Sequence, residues 1–259
     1  MFNQFFYALI FIFGLIIGSF LNCVIYRLET SKSFLKGRSF CPHCNHKLAL
    51  FDLIPVFSFI CLKGKCRYCA KKISLQYPLV EIVTGFLFLL TAIYFGIDSF
   101  LMFFLFLLLP FLIVIFVYDF KHYIIPDRVV YPAIGLTLFY QLLSNKSLDI
   151  ILNPLFSAFS AASFFIIIIL FSKGRWMGWG DVKMGFLMGL LLGSPNIILA
   201  LVLSVFSGAL VGVLLIILEK KTLKSQVPFG PFLIFGTFIA MFWGVEVINW
   251  YSEIFLFGL

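Results

Sequence analysis

The chain has 259 residues and a formal net charge of +8; 63% of its residues are hydrophobic, 36 are phenylalanine, and only 12% are charged. Together with a mean hydropathy of +1.12, this composition excludes a soluble domain built around a single core, because such a domain would expose far too much apolar surface to water. The composition is typical of a polytopic membrane protein.

Long apolar runs follow one another along the chain, and most approach the roughly 20 residues that a transmembrane helix needs. The first run lacks the basic segment and small-residue cleavage site of a signal peptide, so we expect it to be retained as a helix. The sixth is too short to span a membrane unaided, which favours a tilted or re-entrant segment. The sequence predicts an all-α membrane protein of about eight helices, at residues 4–26, 80–97, 99–118, 128–143, 151–171, 182–192, 196–218 and 229–250.

Basic residues fall almost entirely on one side of the predicted helices. Lys146 is the exception among nineteen lysine and arginine residues, and the other eighteen lie in loops 27–79, 119–128, 172–183 and 219–226. Because cytoplasmic loops carry the excess of lysine and arginine, these loops are predicted to be cytoplasmic and both termini to lie outside. The positive charge therefore indicates contact with anionic lipid, and no nucleic-acid partner is predicted.

One polar, basic loop, residues 27–79, interrupts the apolar pattern and contains the sequences CPHC and CRYC, separated by 21 residues. Two such pairs are typical of a zinc site in which four thiolates complete a tetrahedron. Disulfides are the alternative, but they rarely persist in the reducing cytosol that this loop is predicted to face. A loop this short would take much of its folding energy from the metal. The predicted ligands are Cys41, Cys44, Cys66 and Cys69.

An aspartate, Asp181, stands at the start of the sixth predicted helix in the sequence GWGDVK. It has a structural interpretation as a helix N-cap. Ionisable groups at the edge of membrane helices are costly and often have a function, so Asp181 is also a candidate catalytic residue. Acid catalysis by carboxyl groups would need a second carboxylate close to it. Asp119 ends the third predicted helix at the same membrane level, where a carboxylate opposes the helix dipole and gains nothing structural. Asp127 begins the next helix and is predicted to cap it.

Asp119 and Asp181, if close together, would form a pair that cannot ionise twice cheaply, so that one carboxyl keeps its proton near neutral pH. Such a pair performs the chemistry of aspartic proteases: the charged member activates a water while the protonated member polarises a carbonyl. An ion-coupled transporter would also use buried acids. A transporter would need further polar residues along the helices, which are nearly bare of them. A zinc metalloprotease also fits poorly, because the chain has no HExxH motif.

Several segments in chain order resemble the prepilin peptidases, bacterial enzymes that mature type IV pilins and type II secretion pseudopilins. GWGD followed by Val182 and Lys183 is similar to the GxGDxK motif of that family. The other segments are GSFLNCVIYRL, CPHCNHKLALFDLIPVFSF, GKCRYCAKKISLQYPLVE, YDFKHYIIPD and VPFGPFL. The resemblance implies a first transmembrane helix at 1–26, a cytoplasmic zinc-binding loop domain associated with methyl transfer at 27–79, and a transmembrane peptidase domain at 80–259.

The resemblance further implies that Asp119 and Asp181 are the catalytic pair, acting at the cytoplasmic boundary of the bacterial inner membrane. Members with the four-cysteine loop are bifunctional: they cleave the leader peptide of prepilins and pseudopilins and then methylate the new N-terminal amine with S-adenosylmethionine. The residues do not locate the methyl-transfer site, although Gly64, Asp52 and Glu81 lie near where one could form. A peptidase whose zinc loop is purely structural, and an ion-coupled transporter, remain as alternatives.

Overall fold

The computed structural model describes residues 2–30, 39–97, 99–144, 148–218 and 226–255. Within these ranges the protein is built of nine α-helices and one short 3₁₀ turn at Leu50–Leu53, without a β-strand. The α-helices are α1 (Phe2–Glu29), α2 (Phe57–Cys61), α3 (Gln76–Phe95), α4 (Phe100–His122), α5 (Asp127–Ser144), α6 (Leu148–Ser172), α7 (Trp179–Leu192), α8 (Asn196–Ile217) and α9 (Gly230–Phe255).

The predicted all-α fold is confirmed, and each predicted membrane helix has its counterpart among α1 and α3 to α9. Over the described ranges six helices, α1, α3, α4, α6, α8 and α9, are long and apolar enough to cross a membrane. The other two are α5, with 18 residues, and α7, with only 14. The chain is a multi-pass membrane protein, with six candidate spans in the described ranges beside the two shorter helices that the sequence also counted as spans. Lys146 and most of loop 219–226 lie outside the described residues.

The chain packs as two compact units, residues 1–114 and 115–259, so that α4 contributes to both. In the first unit α1 lies along α3, and small residues allow the close approach. A Cβ atom on Gly14 would lie 2.8 Å from the Cα atom of Gly85. Asn22, one turn after Gly18 on α1, donates from Nδ2 to the carbonyl of Tyr77 at 3.0 Å, which ties the two helices together.

The cysteine-containing segment between α1 and α3 repeats one backbone turn at its two CxxC pairs. In the first turn the N–H of Cys41 donates to the carbonyl of His46, and in the second the N–H of Cys66 donates to the carbonyl of Lys71. Each turn includes a residue with positive φ, Asn45 in the first and Ala70 in the second. The repeat gives both cysteine pairs the same local geometry.

In the second unit α7 is surrounded by longer helices. It packs mainly on α6 and also contacts α5, α8 and α9. Gly189 lets the α6 and α7 backbones meet, since a Cβ atom there would lie 2.5 Å from the Cα atom of Ala158. Met184, Leu187 and Met188 of α7 are completely buried. This packing explains how a 14-residue helix can hold Asp181 in a fixed position.

Candidate active site and cysteine cluster

Asp181 is the third residue of α7, and its side chain is turned back to the start of the helix. The backbone N–H of Gly178 donates to Asp181 Oδ2 at 3.0 Å. The residue is only 9% exposed. A helix N-terminus carries unsatisfied N–H groups and a partial positive charge, which stabilise a carboxylate there. The interpretation of Asp181 as an N-cap is therefore wrong in position: Gly178 is the N-cap, and Asp181 stabilises the first turn of α7 from the third position of the helix.

Asp119 lies in the last turn of α4 and is 4% exposed. The backbone N–H of Gly230, the first residue of α9, donates to Asp119 Oδ2 at 2.9 Å. The N-terminal end of α9 thus compensates for the unfavourable dipole at the end of α4. The sequence argument expected Asp119 to gain nothing structural and so missed this partner, which lies 111 residues further along the chain.

The charge of Asp119 acts on Asp181. Asp181 belongs to α7, which is not among the six candidate spans. Burial raises the pKa of Asp181, the hydrogen bond from the Gly178 N–H lowers it and the charge of Asp119 raises it, which together bring it to about 6. Two nearby carboxyl groups share a proton more readily than they both ionise. Both aspartates singled out from the sequence belong to the second unit, and the charge of Asp119 reaches Asp181.

Lys183, two residues after Asp181, binds Asp127 at the start of α5. Its Nζ donates to Asp127 Oδ1 at 2.5 Å and lies 5.1 Å from the ring centroid of Tyr131. The hydrogen bond to Asp127 raises the pKa of Lys183. Because the side chain of Asp127 is 57% exposed, the pair is screened by solvent and contributes little stability. Sequence reasoning missed it, although both residues were predicted at the same membrane level.

The four cysteines of the two CxxC pairs form one cluster in the first unit. Their Sγ atoms all lie within 4.8 Å of one another, and those of Cys41 and Cys69 are 3.9 Å apart. Zinc–sulfur bonds of about 2.3 Å in a tetrahedron place the sulfur atoms about 3.8 Å apart, so a slight contraction would fit the metal. A set of four thiolates is the donor set that zinc prefers in structural sites.

The thiols of the cluster differ in their affinity for protons. Burial raises the pKa of Cys41, but N–H groups of Cys44 and His43 and neighbouring thiols bring it down to about 7. Although the Lys71 N–H lowers it, burial and the neighbouring thiols raise the pKa of Cys69 to about 11. A bound cation would favour the ionised form of all four sulfurs.

Comparisons with known proteins agree over most of the chain. The pattern described as the Bacterial Peptidase A24 N-terminal domain matches residues 12–95, and that of the Type IV leader peptidase family matches residues 106–213. A protein of Legionella pneumophila named prepilin leader peptidase/N-methyltransferase is 32% identical over 276 residues, which cover 95% of this chain and 94% of that protein. The chain belongs to the type IV leader peptidase family.

Further relatives in this family carry the same name. One from Aeromonas hydrophila is 31% identical over 97% of this chain and 95% of its own. One from Bacillus subtilis is 32% identical over 95% of this chain and 98% of its own. No solved structure matches the chain. The resemblance drawn from the motifs is confirmed, and so is the predicted enzyme class, a prepilin peptidase with an associated N-methyltransferase activity.

Two further carboxylates organise the cysteine-containing segment of this family member. Glu81, in the second turn of α3, accepts a hydrogen bond from the N–H of Val56 at 2.7 Å. Val56 has a φ of 60°, which a β-branched residue rarely adopts. Asp52 accepts from Arg67 Nε at 2.8 Å and from the Tyr68 hydroxyl at 3.1 Å. Both acids therefore have partners in the described structure, and neither is part of the aspartate pair.

Proposed function

We propose that this member of the type IV leader peptidase family removes the leader peptide from type IV prepilins and type II secretion pseudopilins, with Asp119 and Asp181 as its catalytic pair. The proposal rests on the burial, the hydrogen bonds and the electrostatic coupling of the two aspartates. Both are buried, both accept a backbone N–H at a helix N-terminus, and the charge of Asp119 raises the pKa of Asp181. Carboxyl pairs arranged in this way share one proton.

The pair accounts for hydrolysis of a peptide bond without a covalent intermediate. The ionised carboxylate takes a proton from a water molecule, whose oxygen attacks the carbonyl carbon of the scissile bond. The protonated carboxyl donates to the carbonyl oxygen, where negative charge develops. When the C–N bond breaks, the leaving amine takes up a proton from the pair. The shared proton belongs to the pair as a whole, so we assign it to neither residue.

The substrate reaches the pair where the membrane ends. Asp119 lies at the end of an apolar helix, and Asp181 at the start of α7, in segments flanked by the basic loops 119–128 and 172–183. Because such loops are cytoplasmic, cleavage is proposed at the cytoplasmic boundary of the bacterial inner membrane. A substrate with a short basic leader and a hydrophobic helix would leave an extended, cleavable segment at that level.

A second activity, methylation of the new N-terminal amine, is assigned to the loop domain 27–79, and cleavage to residues 80–259. S-adenosylmethionine would supply the methyl group from its sulfonium. The deprotonated amine forms the new N–C bond as the C–S bond breaks, the electron pair stays on sulfur, and the amine loses a proton to solvent. Zinc held by the four cysteines would stabilise the loop domain. The support is the geometry of the cluster and the name carried by the relatives.

One assay with purified protein in lipid nanodiscs tests both activities. A prepilin substrate is added with methyl-labelled S-adenosylmethionine, and the product is analysed by mass spectrometry. We expect a cut before the hydrophobic segment and label on the new N-terminus. Cleavage without label would leave a peptidase with a structural loop. An intact prepilin would contradict the assignment of the peptidase.

A further inference from the structure

A half-open cavity lies on the cysteine-containing segment. Its volume is about 700 Å³, within the range of roughly 300–1,000 Å³ that small-molecule sites occupy. All of its walls come from the first compact unit. The lining includes a base, two aromatic rings and apolar side chains: Ser39, His46, Lys47, Leu50, Leu53 and Tyr68.

The first feature that indicates a ligand is a stacked pair of rings on the cavity wall. The ring centroids of His46 and Tyr68 are 3.7 Å apart, and the ring planes are inclined by 32°. Tyr68 is 42% exposed, so an aromatic surface stays open beside the cavity. Such a surface stacks on a nucleobase and attracts a cation.

The second feature is a buried carboxylate that fixes the orientation of the tyrosine. The Tyr68 hydroxyl donates to Asp52 Oδ2 at 3.1 Å, and the same oxygen accepts from the Ala49 N–H at 3.1 Å. Arg67 Nε donates to Asp52 Oδ1 at 2.8 Å. The Asp52 side chain is only 3% exposed. A fully satisfied buried acid thus orients one exposed ring, as expected of a binding site that is organised before its ligand arrives.

The third feature is the distribution of charge and apolar surface along the same wall. Lys47, which directly follows His46, also lines the cavity and carries a positive charge. Leu50, which is 83% exposed, and Leu53 add an apolar surface that water solvates poorly. The wall therefore presents an aromatic face, an apolar strip and a cation in a row.

We propose that this cavity is the binding site for S-adenosylmethionine, with adenine on the ring pair of His46 and Tyr68 and the methionyl carboxylate on Lys47. The proposal rests on the methyl-transfer activity proposed above. The sulfonium would lie between these two contacts. Among the lining residues Lys47 is the one lysine or arginine, so little positive charge opposes the sulfonium there. The site is separate from the four thiols, which serve the metal.

Equilibrium binding tests the site without relying on turnover. The probe is S-adenosylhomocysteine, titrated by calorimetry into zinc-loaded, full-length protein in nanodiscs. We expect Tyr68→Leu and Lys47→Gln each to raise its Kd at least about tenfold, because each removes one of the two end contacts. Tyr68→Phe keeps the ring and should lose less. Lys72→Gln, an exposed lysine of the same segment that does not line the cavity, should bind like the wild type.

Zinc content and prepilin cleavage, measured on the same preparations, report whether each variant is folded. Wild-type affinity in both Tyr68→Leu and Lys47→Gln would overturn the proposal, as would equally tight binding of adenosine monophosphate, which lacks the methionyl group. A wild type that cleaves prepilin but binds no S-adenosylhomocysteine would contradict both the proposed methyl-transfer function and this binding site. Normal binding in every variant would contradict the binding site alone.

A cross-linking experiment keeps the test independent of substitutions. Wild-type protein is irradiated with ultraviolet light in the presence of radiolabelled S-adenosylmethionine, digested, and the labelled peptides are sequenced. Label within 39–53 or on the peptide that contains Tyr68, competed by excess S-adenosylhomocysteine, is the expected result. Label confined to any other part of the chain would locate the donor elsewhere and overturn the proposal.

Discussion

The carboxylate of Asp119 and the backbone N–H of Gly230 are joined by a hydrogen bond of 2.9 Å, and the approach is so close that a side chain at position 230 would have to displace the carboxylate. A Cβ atom on Gly230 would lie 2.6 Å from Asp119 Oδ2 and 3.1 Å from its Cγ. Because the N-terminal end of α9 also stabilises negative charge, Gly230 both positions the carboxylate and favours its ionised form. We infer that the PFGPF segment serves the proposed peptidase through this contact.

Gly230→Ala should therefore impair cleavage although it adds only one methyl group. The methyl would displace the Asp119 carboxylate, and a displacement of about 1 Å can reduce turnover about 100-fold. The measurement is kcat for prepilin cleavage in nanodiscs. Gly135→Ala in α5 is the matched control, because nothing lies within 4 Å of a Cβ atom there. Equal activity of the two variants would show that the contact does not matter for cleavage.

Replacing either proposed catalytic acid should abolish measurable cleavage. Asp119→Asn and Asp181→Asn each keep the size of the side chain but remove the proton exchange that the pair performs, which is worth roughly 10²–10⁴-fold in rate. The variants should insert and fold normally, as judged by size-exclusion chromatography and zinc content. The readout is initial cleavage rate with a purified prepilin.

Asp127→Asn is the comparison for these two variants. It removes the charge partner of Lys183, but that ion pair is exposed on the Asp127 side and such pairs contribute about 1 kcal/mol at most. Asparagine is also tolerated at the start of a helix about as well as aspartate. We expect a mild loss of rate. An inactive Asp127→Asn beside an active Asp119→Asn would mean that the pair has been assigned wrongly.

The pH dependence of cleavage follows from the proton that the pair shares. Burial and the charge of Asp119 raise the pKa of Asp181 to about 6, so we expect the pair as a whole to keep its proton below about this value and to lose it above. Two ionised carboxylates cannot polarise the substrate carbonyl, so kcat/KM should fall as the pH rises through about 6. Initial rates between pH 5 and 8 check this. A rate that increases across that range would contradict the shared-proton mechanism.

Physical constraints explain which parts of the structure could be predicted from sequence. Backbone groups in lipid must be paired within the helix, so each long apolar run could be converted directly into a helix. The CxxC spacing likewise predicted that four thiols would meet. Contacts between distant segments carry no periodic signal. The hydrogen bond from Gly230 to Asp119 and the ion pair of Lys183 with Asp127 depend on how the helices pack, and so they emerged only from the structure.

The five-residue helix α2 is another element that the sequence did not predict. It begins after Val56, whose positive φ is held by the hydrogen bond from its N–H to Glu81. Local propensity disfavours this conformation in valine, so the tertiary contact decides the local structure. The predicted helix 80–97 would also have placed Glu81 in its first turn, whereas α3 begins at Gln76 and the carboxylate accepts the Val56 N–H of the preceding segment.

The cysteine cluster should affect stability and methyl transfer more than cleavage. Zinc bound by four thiolates would contribute folding free energy directly, so Cys41→Ser or Cys69→Ser should loosen the whole loop domain and abolish metal binding. Asp119 and Asp181 lie on other helices, in the second compact unit, and need not move. We expect these variants to lose zinc and methyl transfer but to keep slower, measurable cleavage. We also expect cleavage by the wild type to survive brief exposure to EDTA.

Cys61→Ser, which alters an exposed cysteine outside the cluster, is the control for the cysteine variants. Elemental analysis is carried out beside both assays, and a fully active wild type with four free thiols and no zinc would refute the metal site while leaving the peptidase intact.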